Sequence, residues 1–280
     1  MAQIIKGDEI AKTITDKIKD EISNLDVKPK LAVVLVGEDF ASEAYVRGKV
    51  KAGKRVGIEV DIVRFEQEVS EEKVIDVIKQ LNSDEKVDGI IVQLPLPEHF
   101  DVAKIVNEIS VEKDVDGFTY YNAGRLFRGN PLLSPCTPQG AMYMLEAMNV
   151  EISGKHAVVV GRSNLVGQPL ARMLTAADAT VTLCHSKTKN LKNITSQADI
   201  LIVAIGQSRY ITADYVKEGA IILDVGISRD EHNKLSGDVD FDNVFDKVSM
   251  ISPVPKGVGP LTVAMLLHNT LKAYKGELCG

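Results

Sequence analysis

The stretch from His156 to Lys187 constrains the fold more than any other part of the chain. An apolar run, HAVVV, leads into the turn GRSNLVGQP, a helix-like LARMLTAA and a second strand-like run, ATVTLCHSKTK. A strand, a glycine-bearing turn and a helix start in this order form a βαβ unit, which presents backbone N–H groups to the pyrophosphate of a dinucleotide. The stretch therefore predicts a dinucleotide-binding domain.

The glycine spacing in this turn is looser than the usual pattern. Gly161, Ser163 and Gly167 only approximate Gly-x-Gly-x-x-Gly, so an ordinary turn whose glycines let the backbone bend is the alternative. Pro169 suits the first helical turn, where a missing N–H costs little. Because strand, turn, helix and second strand occur in order, the pattern favours cofactor binding.

The end of the second strand indicates which dinucleotide binds. An NAD-binding domain usually carries Asp or Glu there to hold the ribose hydroxyls. This chain has His185, Ser186 and Lys187 at that point, and Arg162 in the turn. Cations and hydroxyl groups suit a 2′-phosphate, so the residues favour NADP.

Composition excludes several classes of protein. The 280 residues are 45% hydrophobic, which allows a large core and suits two domains. The net charge is −6 and the lysines are scattered among acidic residues, which disfavours nucleic acid as a partner. Neither a secretory leader nor a run of about 18 apolar residues is present, so we expect a cytoplasmic protein without a membrane partner.

The three cysteines are Cys136, Cys184 and Cys279, which lie far apart and form no Cys-x-x-Cys pair. They therefore indicate neither a metal site nor a disulfide framework. Structural or incidental thiols are expected at all three positions.

Alternating strand and helix patterns predict the α/β class. The predicted strands span residues 31–37, 60–65, 88–94, 156–160, 179–184, 199–204 and 220–224, and the clearest helices span 41–56, 70–82 and 261–275. Residues 121–137 are rich in Gly, Asn and Pro and are interpreted as an interdomain connection. The predicted domains are therefore 1–120 and 138–260, with a last helix at about 261–280 able to pack on either.

Polar residues of the first half supply candidate catalytic groups. Tyr45 and Lys49 are four apart, so on a helix they share one face and can position a substrate and move a proton. Spacing alone favours a solvated lysine, since this segment carries other cations. Gln93 ends the apolar run IIVQLPLP, where a side chain either recognises a ligand or caps the strand exit.

The segment EKDVDGF places Asp114 and Asp116 before Gly117. A carboxylate beside such a turn can accept two N–H donors from a flat heterocycle. Two acidic residues can equally just shape the turn, and the segment alone favours that reading.

Seven motifs, in order and over essentially the whole chain, resemble the bifunctional methylenetetrahydrofolate dehydrogenase/methenyltetrahydrofolate cyclohydrolase family. They are YVRGK (45–49), DGIIVQLPLP (88–97), EKDVDGF (112–118), PCTPQG (135–140), GRSNLVGQP (161–169), DVGI (224–227) and PVPKGVGP (253–260). The resemblance implies a folate-binding catalytic domain and a Rossmann-like NADP-binding domain with a mostly parallel sheet and a cleft between them.

The resemblance also implies roles for residues. Lys49 would be essential for the cyclohydrolase step, Tyr45 would orient the folate, and Gln93 would assist the lysine. Asp116 would hold the pterin.

For the cofactor, the resemblance implies that NADP is held by the Gly161-Arg162-Ser163 turn, by Ser186 near the 2′-phosphate and by the backbone around Ile227. Similar proteins are homodimers, so a homodimer is expected.

The implied reaction oxidises methylenetetrahydrofolate to methenyltetrahydrofolate with NADP and then hydrolyses it to formyltetrahydrofolate. Hydride loss needs positioning more than acid–base groups, whereas hydrolysis needs proton transfers, for which Lys49 is best placed. The alternatives are a folate- and NADP-binding protein without turnover, a dehydrogenase with little cyclohydrolase activity and an NADP-dependent reductase of another small substrate.

The loop PVPKGVGP departs from the family's usual PVPGGVGP at Lys256. If this position needs a positive φ, lysine costs about 1–2 kcal/mol more than glycine. Alternatively the change is harmless, or it places a cation near an anionic ligand.

Overall fold

The computed structural model describes residues 2–230 and 233–278. The strands of the described residues are β1 Gln3–Ile4, β2 Lys30–Val36, β3 Glu59–Phe65, β4 Gly89–Val92, β5 His156–Val160, β6 Thr180–Cys184, β7 Ile200–Val203, β8 Ile221–Asp224, β9 Ser228–Arg229, β10 Leu235–Ser236 and β11 Met250–Ile251. The α-helices are α1 Gly7–Ser23, α2 Phe40–Val56, α3 Glu71–Ser83, α4 Val102–Val106, α5 Tyr120–Arg128, α6 Cys136–Ala147, α7 Gly167–Ala176, α8 Leu191–Thr195, α9 Phe241–Val244 and α10 Val258–Lys275. A short 3₁₀ turn spans Ala213–Tyr215.

The chain divides into two compact units, of which the first is built on a six-stranded sheet. This six-stranded unit comprises the residues up to Lys12 together with 137–262. Its strand order is β1-β11-β8-β7-β5-β6, and every neighbouring pair is parallel. Strand β5 lies between β6 and β7. The turn after it is at the carboxyl edge of the parallel sheet, where ligands bind in such folds. The predicted α/β class and mostly parallel sheet are confirmed.

The second unit is built on a three-stranded parallel sheet with the order β3-β2-β4. This three-stranded unit comprises residues 13–136 and the chain from Val263 onward. Residues 31–36 of the central strand are all buried, as an uninterrupted apolar run in a parallel sheet requires. Helix α3 buries Val74, Ile75 and Ile78 beneath the cap that Ser70 provides at its start.

The segment interpreted as an interdomain connection contains a helix. Helix α5 occupies Tyr120–Arg128 and lies in the three-stranded unit. The Thr119 hydroxyl accepts a hydrogen bond from the backbone N–H of Asn122, and Gly129 ends the helix with φ of 84°. These capping signals are present in the sequence. The Gly, Asn and Pro content of residues 121–137 nevertheless favoured a connection.

The residues up to Lys12 belong to the six-stranded unit, whereas the predicted first domain, 1–120, included them. Strand β1 pairs with β11, so Gln3 lies opposite Met250 and Ile4 opposite Ile251 in the six-stranded sheet. A strand of two residues is too short to show a period, and its partner lies near the other end of the chain. Local pattern therefore cannot assign it to a sheet.

The described cysteines, Cys136 and Cys184, are buried free thiols, and Cys279 lies outside the described residues. Among the helices of the described ranges, none is long and apolar enough to cross a membrane.

Lys256 has a left-handed backbone conformation, with φ of 78°. Its carbonyl accepts a hydrogen bond of 3.2 Å from the backbone N–H of Asp8, and its ammonium lies 3.9 Å from the Asp8 carboxylate. Gly7 precedes this contact, and a Cβ there would lie 1.8 Å from the carbonyl oxygen of Gly257. Lys256 therefore has the positive φ at which glycine is favoured over lysine.

Replacing Lys256 with Gly should raise the free energy of unfolding by about 1 kcal/mol. The left-handed conformation costs a lysine about 1–2 kcal/mol, and glycine removes this strain. Part of the gain is offset because glycine loses more backbone entropy on folding, and the exposed ion pair contributes little. Urea unfolding of both proteins measures the change. Asp8→Ala is the control for the ion pair, and a K256G variant less stable than the parent would contradict the expectation.

Candidate active site

Helix α2 carries the first two candidate residues of the three-stranded unit. The Asp39 carboxylate caps its start by accepting a hydrogen bond of 2.7 Å from the backbone N–H of Ser42. Tyr45 and Lys49 follow one turn apart, and Tyr45 is 49% exposed while Lys49 is half-buried. Lys49 Nζ donates a hydrogen bond of 3.0 Å to Oε1 of Gln93, which identifies the partner of the lysine.

Gln93 is buried at the end of β4 and is held from two sides. Its backbone N–H donates to the carbonyl of Val34 at 2.8 Å, and its side-chain Nε2 donates to the carbonyl of Leu94 at 2.6 Å. With the amide nitrogen occupied in this way, Oε1 faces Lys49. The side chain thus caps the strand exit, which was one of the two alternatives, and it also contacts the lysine; recognition of a ligand stays a prediction.

The two aspartates of EKDVDGF differ in their surroundings. Asp114 is buried, and its carboxylate accepts hydrogen bonds from the backbone N–H groups of Phe118 and Thr119 at 3.1 and 2.9 Å. It also accepts one of 2.8 Å from Nδ2 of Asn122. Asp114 therefore shapes the turn into α5, which is the reading that the segment alone favours.

Asp116 is partly exposed, although many protein atoms surround its carboxyl group. Loss of hydration raises the pKa of this carboxyl, the positive charge of Lys49 opposes the rise, and the charge of Asp114 adds to it. Asp116 and Lys49 are thus close enough to interact electrostatically. The following Gly117 has φ of 70°, and a Cβ there would lie 2.7 Å from the backbone of Ser134.

Cys136 and Asn269 support this turn and were not identified from the sequence. The Cys136 thiol donates to the carbonyl of Val115 at 3.3 Å, and burial raises its pKa. Asn269 Nδ2 donates to the carbonyls of Val115 and Ser134 at 2.9 and 3.0 Å. An Asn that follows the apolar run of helix α10 is the signal that could have found this contact.

The glycines of the turn after β5 serve close packing. Gly161 has φ of 123°, and a Cβ there would lie 2.2 Å from the carbonyl oxygen of Ala204. At Gly167 a Cβ would lie 1.9 Å from the carbonyl oxygen of Gly161. The turn can therefore approach β7 and the start of α7 only with glycine at both positions.

Ser163 explains why the pattern reads Gly-x-Ser. Its hydroxyl accepts hydrogen bonds from the backbone N–H groups of Val166 and Gly167 at 3.2 and 3.4 Å, so it supports the start of α7. The Arg162 side chain on the same turn is exposed, as are Ser186 and Lys187 just after β6. Exposed cationic and hydroxyl groups on the ends of neighbouring strands suit an anionic ligand.

Ile227 lies beside a largely apolar cavity of about 260 Å³ within the six-stranded unit. The wall includes Asp224 and Val225 from the end of β8, Leu235, and the loop of residues 253–260. A cavity at the carboxyl end of parallel strands is the usual location of a ligand in such a sheet.

These features place the chain among the dinucleotide-binding α/β proteins. Two family models match it: tetrahydrofolate dehydrogenase/cyclohydrolase, catalytic domain, over residues 5–116, and the NAD(P)-binding domain of the same family over residues 135–278. The chain therefore belongs to the tetrahydrofolate dehydrogenase/cyclohydrolase family, as its motifs predicted.

Similar proteins cover the chain from end to end. The bifunctional protein FolD of Bacillus anthracis is 50% identical over 284 residues, which span 100% of this chain and 99% of that protein. The crystal structure of the bifunctional enzyme FolD from Campylobacter jejuni is 43% identical with a TM-score of 0.97, over 99% of this chain and 100% of that one. The FolD of Trypanosoma brucei, solved with NADP and an inhibitor, is 36% identical with a TM-score of 0.95, over 99% and 98% of the two chains.

Asp114 and Asp116 should respond differently to replacement. Asp114→Ala leaves three donors without their acceptor and should lower the free energy of unfolding by about 3 kcal/mol. Asp116→Asn keeps the shape, removes a charge whose burial is unfavourable and should change stability by less than about 1 kcal/mol. Urea unfolding measures both, and equal losses would contradict the division of roles between the two carboxylates.

Proposed function

We propose that this chain oxidises methylenetetrahydrofolate with NADP and hydrolyses the product through a site made by Tyr45, Lys49, Gln93 and Asp116. The observation that carries the proposal is the 3.0 Å hydrogen bond from Lys49 to Gln93, in electrostatic reach of Asp116. Membership of the family and the full-length likeness to bifunctional FolD proteins support both reactions.

The dehydrogenase step depends on positioning. The carbon that loses hydride bridges two nitrogens whose lone pairs stabilise the resulting cation, so no protein base has to remove a proton. When bound, NADP supplies the ring that accepts the hydride. The Gly161-Arg162-Ser163 turn and Ser186 would hold its phosphates, and the backbone around Ile227 would hold the nicotinamide side. The glycine-dependent turn and the adjacent cationic and hydroxyl groups fit a phosphorylated dinucleotide.

The hydrolase step needs proton transfers that Lys49 can carry. One proton of the water that adds to the methenyl carbon is released to solvent, because the cation becomes a neutral formyl product. The other passes from the water to the nitrogen of the opening carbon–nitrogen bond. Lys49 Nζ moves the proton between them, while the fixed amide of Gln93 orients the lysine. Asp116 accepts hydrogen bonds from the aminopyrimidine edge, and Tyr45 packs against the folate.

Replacing Lys49 with Ala should lower the rate of methenyltetrahydrofolate hydrolysis at least about 100-fold, because the proton carrier is lost. NADP binding should stay unchanged, since the lysine belongs to the three-stranded unit. Loss of methenyltetrahydrofolate absorbance measures hydrolysis, and fluorescence titration measures NADP binding.

Lys51→Ala is the matched control, since Lys51 is an exposed lysine of the same helix. A K49A enzyme that folds and keeps the full rate of hydrolysis would remove the assignment. A parent protein that forms no methenyltetrahydrofolate with either NADP or NAD would leave only a binding protein.

The choice of NADP over NAD is assigned to Arg162 and Ser186. Replacing both with Ala should raise the KM for NADP about tenfold or more, because charge-assisted hydrogen bonds to the 2′-phosphate are lost, while the KM for NAD changes little. Lys155→Ala, at the opposite end of β5, is the control. Equal changes for the two cofactors would contradict the assignment.

We also propose that the chain forms a homodimer and acts in the cytoplasm. The support is the family resemblance for the dimer and the free thiols of Cys136 and Cys184, which suit a reducing compartment. Sedimentation at the mass of one chain would contradict the dimer, and recovery of the protein outside the cytoplasmic fraction would contradict the location.

A further inference from the structure

Two buried carboxylates lie at the carboxyl edge of the six-stranded sheet, and neither has a role in the reaction described above. Asp224 ends β8 with 4% exposure, and Asp238 follows β10 with 0% exposure. Among the described residues, neither forms an ion pair with a lysine or arginine; backbone N–H groups are their partners. Burying two like-charged groups without a cation is costly, so the arrangement calls for a reason.

Asp224 ties the end of β8 to two other segments. Its Oδ1 accepts hydrogen bonds from the backbone N–H groups of Gly226 and Asp238 at 3.1 and 3.0 Å, and its Oδ2 accepts one from Val239 at 2.9 Å. The backbone N–H of Asp224 donates to Oγ of Ser252 at 2.8 Å. Ser252 directly precedes the loop of residues 253–260, so this loop is linked to the same carboxylate residue.

Asp238 continues the network to the loop after β7. Its Oδ2 accepts hydrogen bonds from Ile205 and Gly206 at 2.6 and 3.0 Å, and its Oδ1 accepts one from Gln207 at 2.6 Å. The Asp238 carboxylate thus holds the loop after β7 and the Asp224 carboxylate holds the loop after β8, and the backbone N–H of Asp238 donates to the Asp224 carboxylate.

Two glycines make room for the carboxylates. A Cβ on Gly226 would lie 2.1 Å from Oδ2 of Asp238, and a Cβ on Gly237 would lie 1.9 Å from Oδ2 of Asp224. The Asp238 carboxylate therefore packs against the backbone of the loop that Asp224 holds, and the Asp224 carboxylate packs against the backbone just before Asp238. Asp224 and Asp238 are therefore treated together as the buried Asp pair.

The buried Asp pair adjoins the cavity beside Ile227. Asp224, Val225 and Ile227 form one part of the wall, and residues 253–260 form another. The charged group that acts on Asp224 is Asp238, and Lys256 of the same cavity wall is paired with Asp8. Burial and the neighbouring Asp238 raise the pKa of Asp224 to about 7, and the N–H donors only partly oppose the rise.

We propose that Asp224 and Asp238 are positioning residues for the cofactor, which hold the loops around Ile227 in the form that binds the nicotinamide end of NADP. The proposal rests on the proposed NADP site. Since Oδ2 of Asp224 accepts the Val239 N–H, a proton on that oxygen removes this hydrogen bond. Protonation therefore loosens the loops, and NADP affinity falls as the pH decreases through neutrality.

The experiment measures NADP dissociation constants from pH 6 to 8.5 for the parent, Asp224→Asn and Asp238→Asn, alongside the rate of methenyltetrahydrofolate hydrolysis. Asp242→Asn is the matched control, since Asp242 is an exposed carboxylate of the neighbouring helix α9. The 2′-phosphate of NADP itself titrates near pH 6. The ratio of variant to parent at each pH removes that contribution.

At pH 8 both variants should bind NADP about tenfold more weakly, which corresponds to the loss of one charge-assisted hydrogen bond. The ratio of the NADP dissociation constant of Asp224→Asn to that of the parent should be smaller at pH 6 than at pH 8, because the parent carboxyl gains protons as the pH falls. Hydrolysis should change less than about twofold, since the hydrolytic residues belong to the other unit. A merely structural role would lower the melting temperature and leave the ratio independent of pH.

Equal NADP affinity of parent and variants at every pH would overturn the proposal, as would a constant ratio. If either Asn variant fails to fold, Ser252→Ala removes the acceptor of the Asp224 N–H and should still raise the KM for NADP without changing hydrolysis; an unchanged KM would overturn the proposal as well. A parent that binds no NADP at any pH would instead overturn the proposed function.

Discussion

Carboxylates that accept backbone N–H groups hold the loops at the strand ends in both units. Asp114 does so in the three-stranded unit, where it receives three donors at the entry to α5. Asp224 and Asp238 do so in the six-stranded unit. Backbone N–H groups in buried turns need acceptors, and a buried carboxylate satisfies several at once. The loops that present Asp116 and Ile227 depend on these contacts.

This division of labour explains why neighbouring acidic residues differ in use. In EKDVDGF the carboxylate of Asp114 accepts hydrogen bonds from the turn. Asp116 stays within electrostatic reach of Lys49. The same logic applies at Gln93, whose amide nitrogen is held by a strand-exit carbonyl so that its oxygen meets the lysine. Structural hydrogen bonds of this kind set the orientation of the groups that we assign to the proposed site.

Much of the fold could be predicted because its signals are local. The buried runs of β2, β4 and β5 are uninterrupted apolar segments, and α2 and α3 begin at Asp39 and Ser70, which cap them. Helix α5 was missed because its caps lie in a segment rich in Gly, Asn and Pro. Strand β1 could not be assigned, since two residues carry no period and its hydrogen bonds come from β11.

By itself the sequence determined the α/β class, the family and the candidate residues, because strand runs, caps and motifs are written in neighbouring positions. Only the tertiary structure decided that Lys49 meets Gln93, that Asn269 holds the Asp116 turn and that Lys256 adopts a left-handed backbone. The buried pair of Asp224 and Asp238 also became visible only there. These contacts join positions far apart in the chain, and their energies depend on burial and orientation, which no local pattern encodes.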